Sequence, residues 1–116
     1  MYKLEDLKVW TKAMKVAKDI YVLSSAFPSA EKFGLTSQIR RSAISIASNI
    51  AEGAGRNTKG EFRNFLSIAS DSSYELFTQL TLAYNLNLTS ENLVQPILEE
   101  VVEIQKMNYS LIKTLV

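Results

Sequence analysis

Acidic side chains are the groups in this sequence whose type and spacing come closest to a chemical site. The candidates are Glu52, Glu61, Asp71 and Glu75. Carboxylates that face the interior of a helical bundle can bind metal, but di-iron bundles combine them with histidine in Glu-x-x-His motifs. The sequence contains no histidine, and nothing in it indicates the substrate cleft that a hydrolytic carboxylate pair needs. We therefore expect a protein that is not an enzyme and that holds no metal or cofactor.

Composition excludes further kinds of chemistry. The chain has 116 residues and no cysteine, which removes disulfides and thiolate metal sites, and the absence of histidine removes the commonest general base. A carboxylate-only magnesium or calcium site stays open, although there is no Asp-rich calcium loop. No apolar run approaches the roughly 18 residues of a membrane span, and the charged start lacks a signal-peptide core. We expect one domain, residues 1–116, in the cytoplasm and not in a membrane.

Positive charge is concentrated in the first half of the chain. The net charge is only +1, but residues 1–58 carry +4 and residues 59–116 carry −3. Four lysines of the first predicted helix lie largely on one side, at Lys8, Lys12, Lys15 and Lys18. They are candidate contacts for the phosphates of RNA or DNA. Two other interpretations stay open: a solvated helix face, or pairing of the basic half with the acidic half.

The spacing of apolar residues predicts four helices and no strands. We place helix one over about 4–26, helix two over about 35–54, helix three from a cap at 58 to about 86, and helix four from a cap at 89 or 90 nearly to 116. Thr58 and Glu61 form a capping box, and Pro96 either begins helix four or kinks it. Pro28 to Phe33 forms a turn or a short helical piece, and Ser29 or Thr36 caps helix two. Short connections predict an antiparallel up-and-down four-helix bundle.

Apolar residues follow two neighbouring stripes on helix one. One stripe contains Leu7, Trp10, Met14, Ala17 and Tyr21, and the other contains Ala13, Val16, Ile20, Leu23 and Phe27. Both have three- and four-residue spacing, so together they predict a broad buried face with Trp10 largely inside it. Helix two has one such stripe, at Leu35, Ile39, Ala43, Ile46 and Ile50. Gly53 and Gly55 are expected to end that helix.

A second stripe on helix two is polar. Its members are Gln38, Ser42, Ser45, Asn49, Glu52 and Arg56. Helix three has a counterpart at Ser67, Asp71, Glu75, Thr78 and Gln79. If the two helices fold back on each other, the pattern places Arg40 and Arg41 near Glu75, Ser45 near Asp71, Asn49 near Ser67, and Arg56 near Glu61.

Two interpretations of the polar stripe remain. A polar helix face is usually solvated, but such faces normally use lysine, glutamate and glutamine, which favour helix. Serine and asparagine inside a helix lower its propensity and compete for backbone hydrogen bonds. We therefore favour a hydrogen-bonded network at a buried seam or at a contact between subunits.

Four segments carry a family resemblance: LKVWTKAMKVAKDIY, FPSAEKFGLTSQIRRSAISIASNIAEGAGR, EFRNFLSIASDSSYEL and TQLTLA. They resemble a bacterial four-helix-bundle family known as S23 ribosomal protein or 23S rRNA intervening-sequence protein. The resemblance implies a left-handed bundle that assembles as a homopentamer. It also implies contact with RNA, because some members are encoded inside insertions in ribosomal RNA genes. A related group, the accessory variability proteins of retroelements, forms similar pentamers and binds nucleic acid and a reverse transcriptase. That group is strongly basic and this chain is not.

The resemblance also points to particular positions. The polar positions characteristic of the family correspond here to Gln38, Arg40, Arg41, Ser45, Asn49, Glu52, Arg56, Glu61, Glu75 and Gln79. Asp71 completes the predicted interface network and stands where the family often has glycine, while Ala47 stands where it often has proline. Our first hypothesis is a non-enzymatic homo-oligomeric scaffold that contacts RNA or DNA. The alternative is a protein-only adaptor that recognises a partner protein through the polar surface of helices two and three.

Overall fold

Four helices account for most of the chain, as the apolar spacing predicts. The computed structural model describes residues 2–32 and 34–116. Its helices are α1 (Lys8–Ser24), α2 (Leu35–Ala54), α3 (Lys59–Asn85) and α4 (Glu91–Thr114), with short 3₁₀ turns at Leu4–Asp6 and Ser29–Glu31. Within the described residues there is no strand. The prediction of an all-α four-helix bundle is confirmed.

The first helix is shorter than predicted at both ends. Leu7 is extended, with φ −86° and ψ 105°, and this separates the 3₁₀ turn before it from α1. At the other end, the Ser25 hydroxyl donates to the carbonyl of Val22 at 2.7 Å, and the chain reaches Pro28 three residues later. The predicted piece over residues 28–33 contains a 3₁₀ turn, and Phe33 lies outside the described residues.

Local signals set the ends of α3 and the start of α4. The Thr58 hydroxyl accepts from the Glu61 amide at 3.1 Å and donates to the Glu61 carboxylate at 2.9 Å. The predicted cap at Thr58 is confirmed, but the carboxylate binds the Thr58 hydroxyl where a capping box has it bind the Thr58 backbone amide. Asn87, just after α3, has φ +60°, the left-handed conformation that commonly ends a helix and that asparagine adopts more readily than most residues. Helix α4 begins at Glu91, so Pro96 lies inside it and the helix does not begin at the proline.

Each helix contacts its neighbours in the chain, and α1 also packs against α4, so the bundle closes around one core. The predicted stripe of α2 is buried throughout: Leu35, Ile39, Ala43, Ile46 and Ile50. On α4 the buried residues begin at Val94, whereas the adjacent Leu93 is 60% exposed. No described helix is long and apolar enough to cross a membrane.

Only one of the two apolar stripes of α1 lies in the core. The stripe from Ala13 to Phe27 is buried, but Met14 and Tyr21 of the other stripe are 47% and 43% exposed. Trp10 is half-buried and packs against the edge of the core. The broad buried face was therefore predicted wrongly, because a helix that packs between two neighbours, α2 and α4, buries a narrower arc than both stripes cover.

Helices α2 and α3 share the most extensive contact in the bundle. A Cβ atom on Gly53 would lie 2.7 Å from Cβ of Phe65 and 2.8 Å from Cδ1 of Phe62. Gly53 lies inside α2, and Gly55 is the residue that caps its end. The expectation that Gly53 ends the helix is thus wrong, and its role is to let α3 pack closely.

Candidate functional site

Polar side chains of α2 and α3 meet in a hydrogen-bonded seam. The hydroxyls of Ser45 and Ser72 lie 2.8 Å apart, and the Ser42 hydroxyl donates to the side-chain carbonyl of Gln79 at 2.9 Å. Ser42 and Ser72 are buried, while Ser45 and Gln79 are half-buried. We call Ser42, Ser45, Asn49, Ser72 and Gln79 the seam. Part of the polar stripe thus holds two helices of one chain together.

Two partners within the seam differ from those predicted. Ser45 forms its hydrogen bond with Ser72 and not with Asp71. Successive side chains of a helix point about 100° apart, so Asp71, next to Ser72 in the chain, points outward. Asn49 was predicted to meet Ser67. Its amide instead donates back to the carbonyl and the hydroxyl of Ser45, at 2.8 and 3.0 Å. This back-bonding satisfies the asparagine inside its own helix.

The two adjacent arginines of α2 point in different directions. Nε of Arg40 donates to the buried hydroxyl of Ser24 at 2.7 Å, and the guanidinium lies 4.5 Å from the ring centroid of Tyr21. Arg40 therefore binds α1, whereas Arg41 is exposed. Neither forms an ion pair with Glu75 in the described part of the chain. The predicted pairing within the subunit is wrong.

The remaining members of the predicted network lie on the outside of α2 and α3. We call this the outer surface, and its charged and amide side chains are Gln38, Arg41, Glu52, Asp71 and Glu75, all exposed. At its end, Arg56 lies 4.0 Å from Glu61, the neighbour predicted for it, and stacks on Phe65. The acidic residues do not converge: among the described residues no cluster of three or more potential ligands could hold a metal ion.

The lysine face of α1 is largely paired with α4. Lys12 binds Glu103 at 2.5 Å, and Lys15 binds Glu100 at 2.6 Å and Asp19 at 3.0 Å. The hydrogen bonds from Glu100 and then Asp19 raise the pKa of Lys15, and the hydrogen bond and charge of Lys12 lower the pKa of Glu103. One of the open interpretations was that the basic half of the chain pairs with the acidic half. Lys12 and Lys15 are paired in this way.

The other two candidate nucleic-acid contacts on α1, Lys8 and Lys18, are exposed. Because their neighbours Lys12 and Lys15 are partly neutralised by carboxylates, the face as a whole offers less positive charge than the sequence suggests.

A basic groove lies instead between α1 and the first half of α2. Its volume is about 630 Å³, and its walls are Tyr21, Lys32, Thr36, Ser37, Arg40, Arg41, Ile44 and Ser45. We call it the α1–α2 groove. Three of these residues are cationic and none is acidic. The sequence pattern did not predict this groove, because it placed Tyr21 in the core and Arg40 in a contact with Glu75 of α3.

Thr36 is the least expected residue of this groove. It was predicted as a cap of α2, but Gly34 occupies the cap position and Thr36 is the second residue of the helix. Ser29, the other predicted cap, lies in the preceding 3₁₀ turn. Thr36 is only 8% exposed, and its hydroxyl has no hydrogen-bond partner among the described residues.

Asn108 of α4 is a second polar residue that the pattern missed. It is fully buried, its amide donates to the hydroxyl of Ser70 at 3.3 Å, and its side-chain carbonyl has no partner among the described residues. The preceding residue, the apolar Met107, is only half-buried. Asn108 lies in the interior of the bundle, so its role is in the packing of the helices and not in the candidate site.

Comparison with known proteins agrees with the fold and with the resemblance. A family model described as 23S rRNA-intervening sequence protein matches residues 5–110. The crystal structure of a protein with unknown function from the S23 ribosomal protein family of Bacteroides thetaiotaomicron VPI-5482 is similar, with a TM-score of 0.84 and 29% sequence identity. The match covers 90% of this chain and 98% of that one. Among curated proteins, none matches.

Proposed function

Since this chain belongs to the 23S rRNA-intervening sequence protein family, we propose that it is a non-enzymatic, homo-oligomeric helical bundle that serves as a scaffold and contacts RNA or DNA. The outer surface of α2 and α3 forms the contact between subunits. The basic α1–α2 groove supplies the positive charge toward nucleic acid. No chemical step is assigned to the chain.

The observation that carries the proposal is the mixture of side chains on the outside of α3. Ile68, Tyr74 and Leu82 are 45%, 61% and 46% exposed, and they alternate at helical spacing with Asp71 and Glu75. A solvated helix face has no reason to expose three large apolar side chains in one stretch. Clustered exposed apolar groups with polar neighbours are typical of a protein interface.

Charge supports a contact between two copies. Asp71 and Glu75 line a depression on α3 together with Tyr74, and no basic residue lines it. Arg41 is exposed on α2 without an ion pair among the described residues. A contact in which Arg41 of one copy faces Glu75 of the next pairs these charges and is heterologous, the kind of contact that forms a ring when the rotation between copies closes. The family resemblance sets our expectation at five subunits.

A protein-only adaptor is the second candidate. The ion pairs from Lys12 to Glu103 and from Lys15 to Glu100 favour it, because they remove positive charge from α1. In that case the outer surface binds a partner protein and no nucleic acid is involved. Both candidate functions use the same exposed apolar residues of α3. A measurement of the affinity for nucleic acid therefore distinguishes the two functions.

Titration of structured RNA at two salt concentrations tests the choice. Phosphate contacts release counterions, so binding by a nucleic-acid scaffold weakens steeply as salt rises. We expect binding at low salt that is lost at high salt. Absence of binding at low salt, or binding that salt does not change, would favour the adaptor and remove nucleic acid from the proposal.

A further inference from the structure

The surface between α3 and α4 opens into a groove. Two adjoining depressions, of about 490 and 100 Å³, follow the line where the two helices meet, and Gln95 and Leu98 of α4 line both of them. Phe77 and Val102 line the larger depression, and Tyr84 lines the smaller one. We call the two depressions together the α3–α4 groove.

This groove lies on a side of the bundle that the proposed contacts do not use. Helices α1 and α3 each pack between α2 and α4, so the α3–α4 groove lies opposite the α1–α2 groove. On α3, Phe77 and Tyr84 point to one side, and Asp71 and Glu75 of the outer surface are turned away from them by about 120° or more. Assembly through the outer surface therefore leaves the α3–α4 groove open.

Apolar side chains of both helices line the α3–α4 groove. Phe77, Leu98 and Val102 are half-buried, and Tyr84 is 41% exposed. Leu98 and Val102 are four residues apart on α4, so their side chains lie on the same side of the helix. Residues 91–106 border the groove over about 22 Å, the length of about four helical turns. The groove therefore has the size and the apolar lining to accept one face of another helix.

The charges that line the groove are mostly negative. Glu91 and Glu99 are exposed and form no ion pair among the described residues. A third carboxylate, Glu103, is already paired with a lysine of α1. Lys106 lies at one end of the groove, and the sequence has no lysine or arginine over residues 64–105. The negative charge of Glu91 and Glu99 is therefore left for a ligand to balance.

We propose that the α3–α4 groove is a docking site for a basic amphipathic helix of a partner protein. The apolar stripe of that helix covers Leu98 and Tyr84, and lysines or arginines beside the stripe pair with Glu91 and Glu99. Charge complementarity favours this occupant over nucleic acid, because the carboxylates repel phosphates. The inference goes beyond the proposed function, since it needs neither the subunit contact nor RNA, and it places the partner away from the outer surface of α2 and α3.

Fluorescence anisotropy with two labelled synthetic peptides tests the site on the full chain. The first peptide is an amphipathic helix of about 15 residues, with leucines at every third and fourth position and lysines beside them. The second peptide has glutamine in place of each lysine and keeps the same apolar stripe. We expect the lysine peptide to bind and its affinity to fall as salt rises. The glutamine peptide should bind at least three-fold more weakly.

Variants of the protein locate the binding in the groove. Glu91→Gln combined with Glu99→Gln should weaken the lysine peptide roughly three- to ten-fold, the effect of losing two exposed ion pairs. Tyr84→Ala should weaken it about ten-fold, as expected for an aromatic side chain at the centre of an interface. The matched controls are Glu5→Gln, an exposed carboxylate outside the groove, and Tyr21→Ala, a tyrosine with a similar exposed fraction of 43%. Both should stay within about two-fold of the wild type, and a thermal melt of each variant checks that it is folded.

Three results would overturn the proposal. The first is a wild-type protein that does not bind the lysine peptide at low salt. The second is an affinity that the groove variants reduce no more than their controls do. The third concerns a second copy of this chain as the occupant: a loss of oligomer mass in the Glu91→Gln, Glu99→Gln protein, measured by light scattering, would make the groove a contact between subunits.

Discussion

Arg40 of α2 stacks on the ring of Tyr21 in α1, with the guanidinium carbon 4.5 Å from the ring centroid. The same side chain donates to the buried hydroxyl of Ser24, so it joins the two helices through both its planar face and its edge. This contact keeps Tyr21 at the surface and forms one wall of the α1–α2 groove. It also explains why Arg40 does not reach α3.

Replacing Arg40 by lysine should destabilise the fold. Lysine keeps the charge but loses the planar stack and the Nε donor, and each is worth about 0.5–1.5 kcal/mol. We expect Arg40→Lys to lower the free energy of unfolding by about 1–2 kcal/mol in a urea titration. Arg41→Lys, at the exposed neighbouring position, is the matched control and should change it by less than about 0.5 kcal/mol. Equal effects would show that the stack contributes nothing.

Adding a methyl group at Gly53 should separate α2 from α3. The new Cβ would lie within 2.8 Å of atoms of Phe62 and Phe65, so one helix must move. We expect Gly53→Ala to lower the free energy of unfolding by about 1–3 kcal/mol, the cost of overpacking. At Gly55 the nearest contacts of an added Cβ are 3.6 and 3.7 Å, so Gly55→Ala should be close to neutral. A Gly53→Ala protein as stable as the wild type would contradict the close approach.

The ion pair between Lys12 and Glu103 should make stability depend on acid pH. Lys12 lowers the pKa of Glu103, so the folded state favours the ionised carboxylate. The stabilisation is complete above the ordinary glutamate pKa and is lost as pH falls through the lowered pKa of Glu103. A double-mutant cycle of Lys12→Ala and Glu103→Ala, measured by thermal unfolding, should show coupling at neutral pH. That coupling should vanish in strong acid and shrink at high salt; coupling that is constant with pH would rule out the ion pair.

The sequence was sufficient to predict the helices and most of the core. Ile39, Ile46 and Ile50 follow the three- and four-residue spacing of a buried face, and all three are fully buried. The helix cap at Thr58 is equally local, because its donor and acceptor are three residues apart. Signals of this kind depend on one helix alone, so they can be read before the packing is known.

Side-chain partners between helices could not be predicted in the same way. A shift of one residue turns a side chain by 100°, and this is the difference between Ser45 meeting Asp71 and meeting Ser72. The rotation of each helix about its own axis depends on the whole core. For the same reason the pattern could not tell that Met14 lies outside the buried arc of α1.

Glu75 should matter to assembly, since Arg41 and Glu75 are exposed and do not pair within the described chain. We expect Glu75→Ala to weaken association while leaving the helical content unchanged, because it removes a charge from the proposed subunit contact and none from the core. Glu99→Ala, an exposed glutamate on α4, is the matched control and should assemble like the wild type. Sedimentation at several concentrations measures the difference, and equal association of the two variants would place the contact elsewhere.

The mass of the wild-type protein in solution tests the proposed scaffold most directly. Light scattering during size-exclusion chromatography gives that mass without assumptions about shape. We expect a closed oligomer of fixed size, five times the 13.0 kDa of the chain, that does not grow as the concentration is raised. A mass of 13.0 kDa at micromolar concentration would contradict a homo-oligomeric scaffold and would leave the outer surface of α2 and α3 free for a different partner.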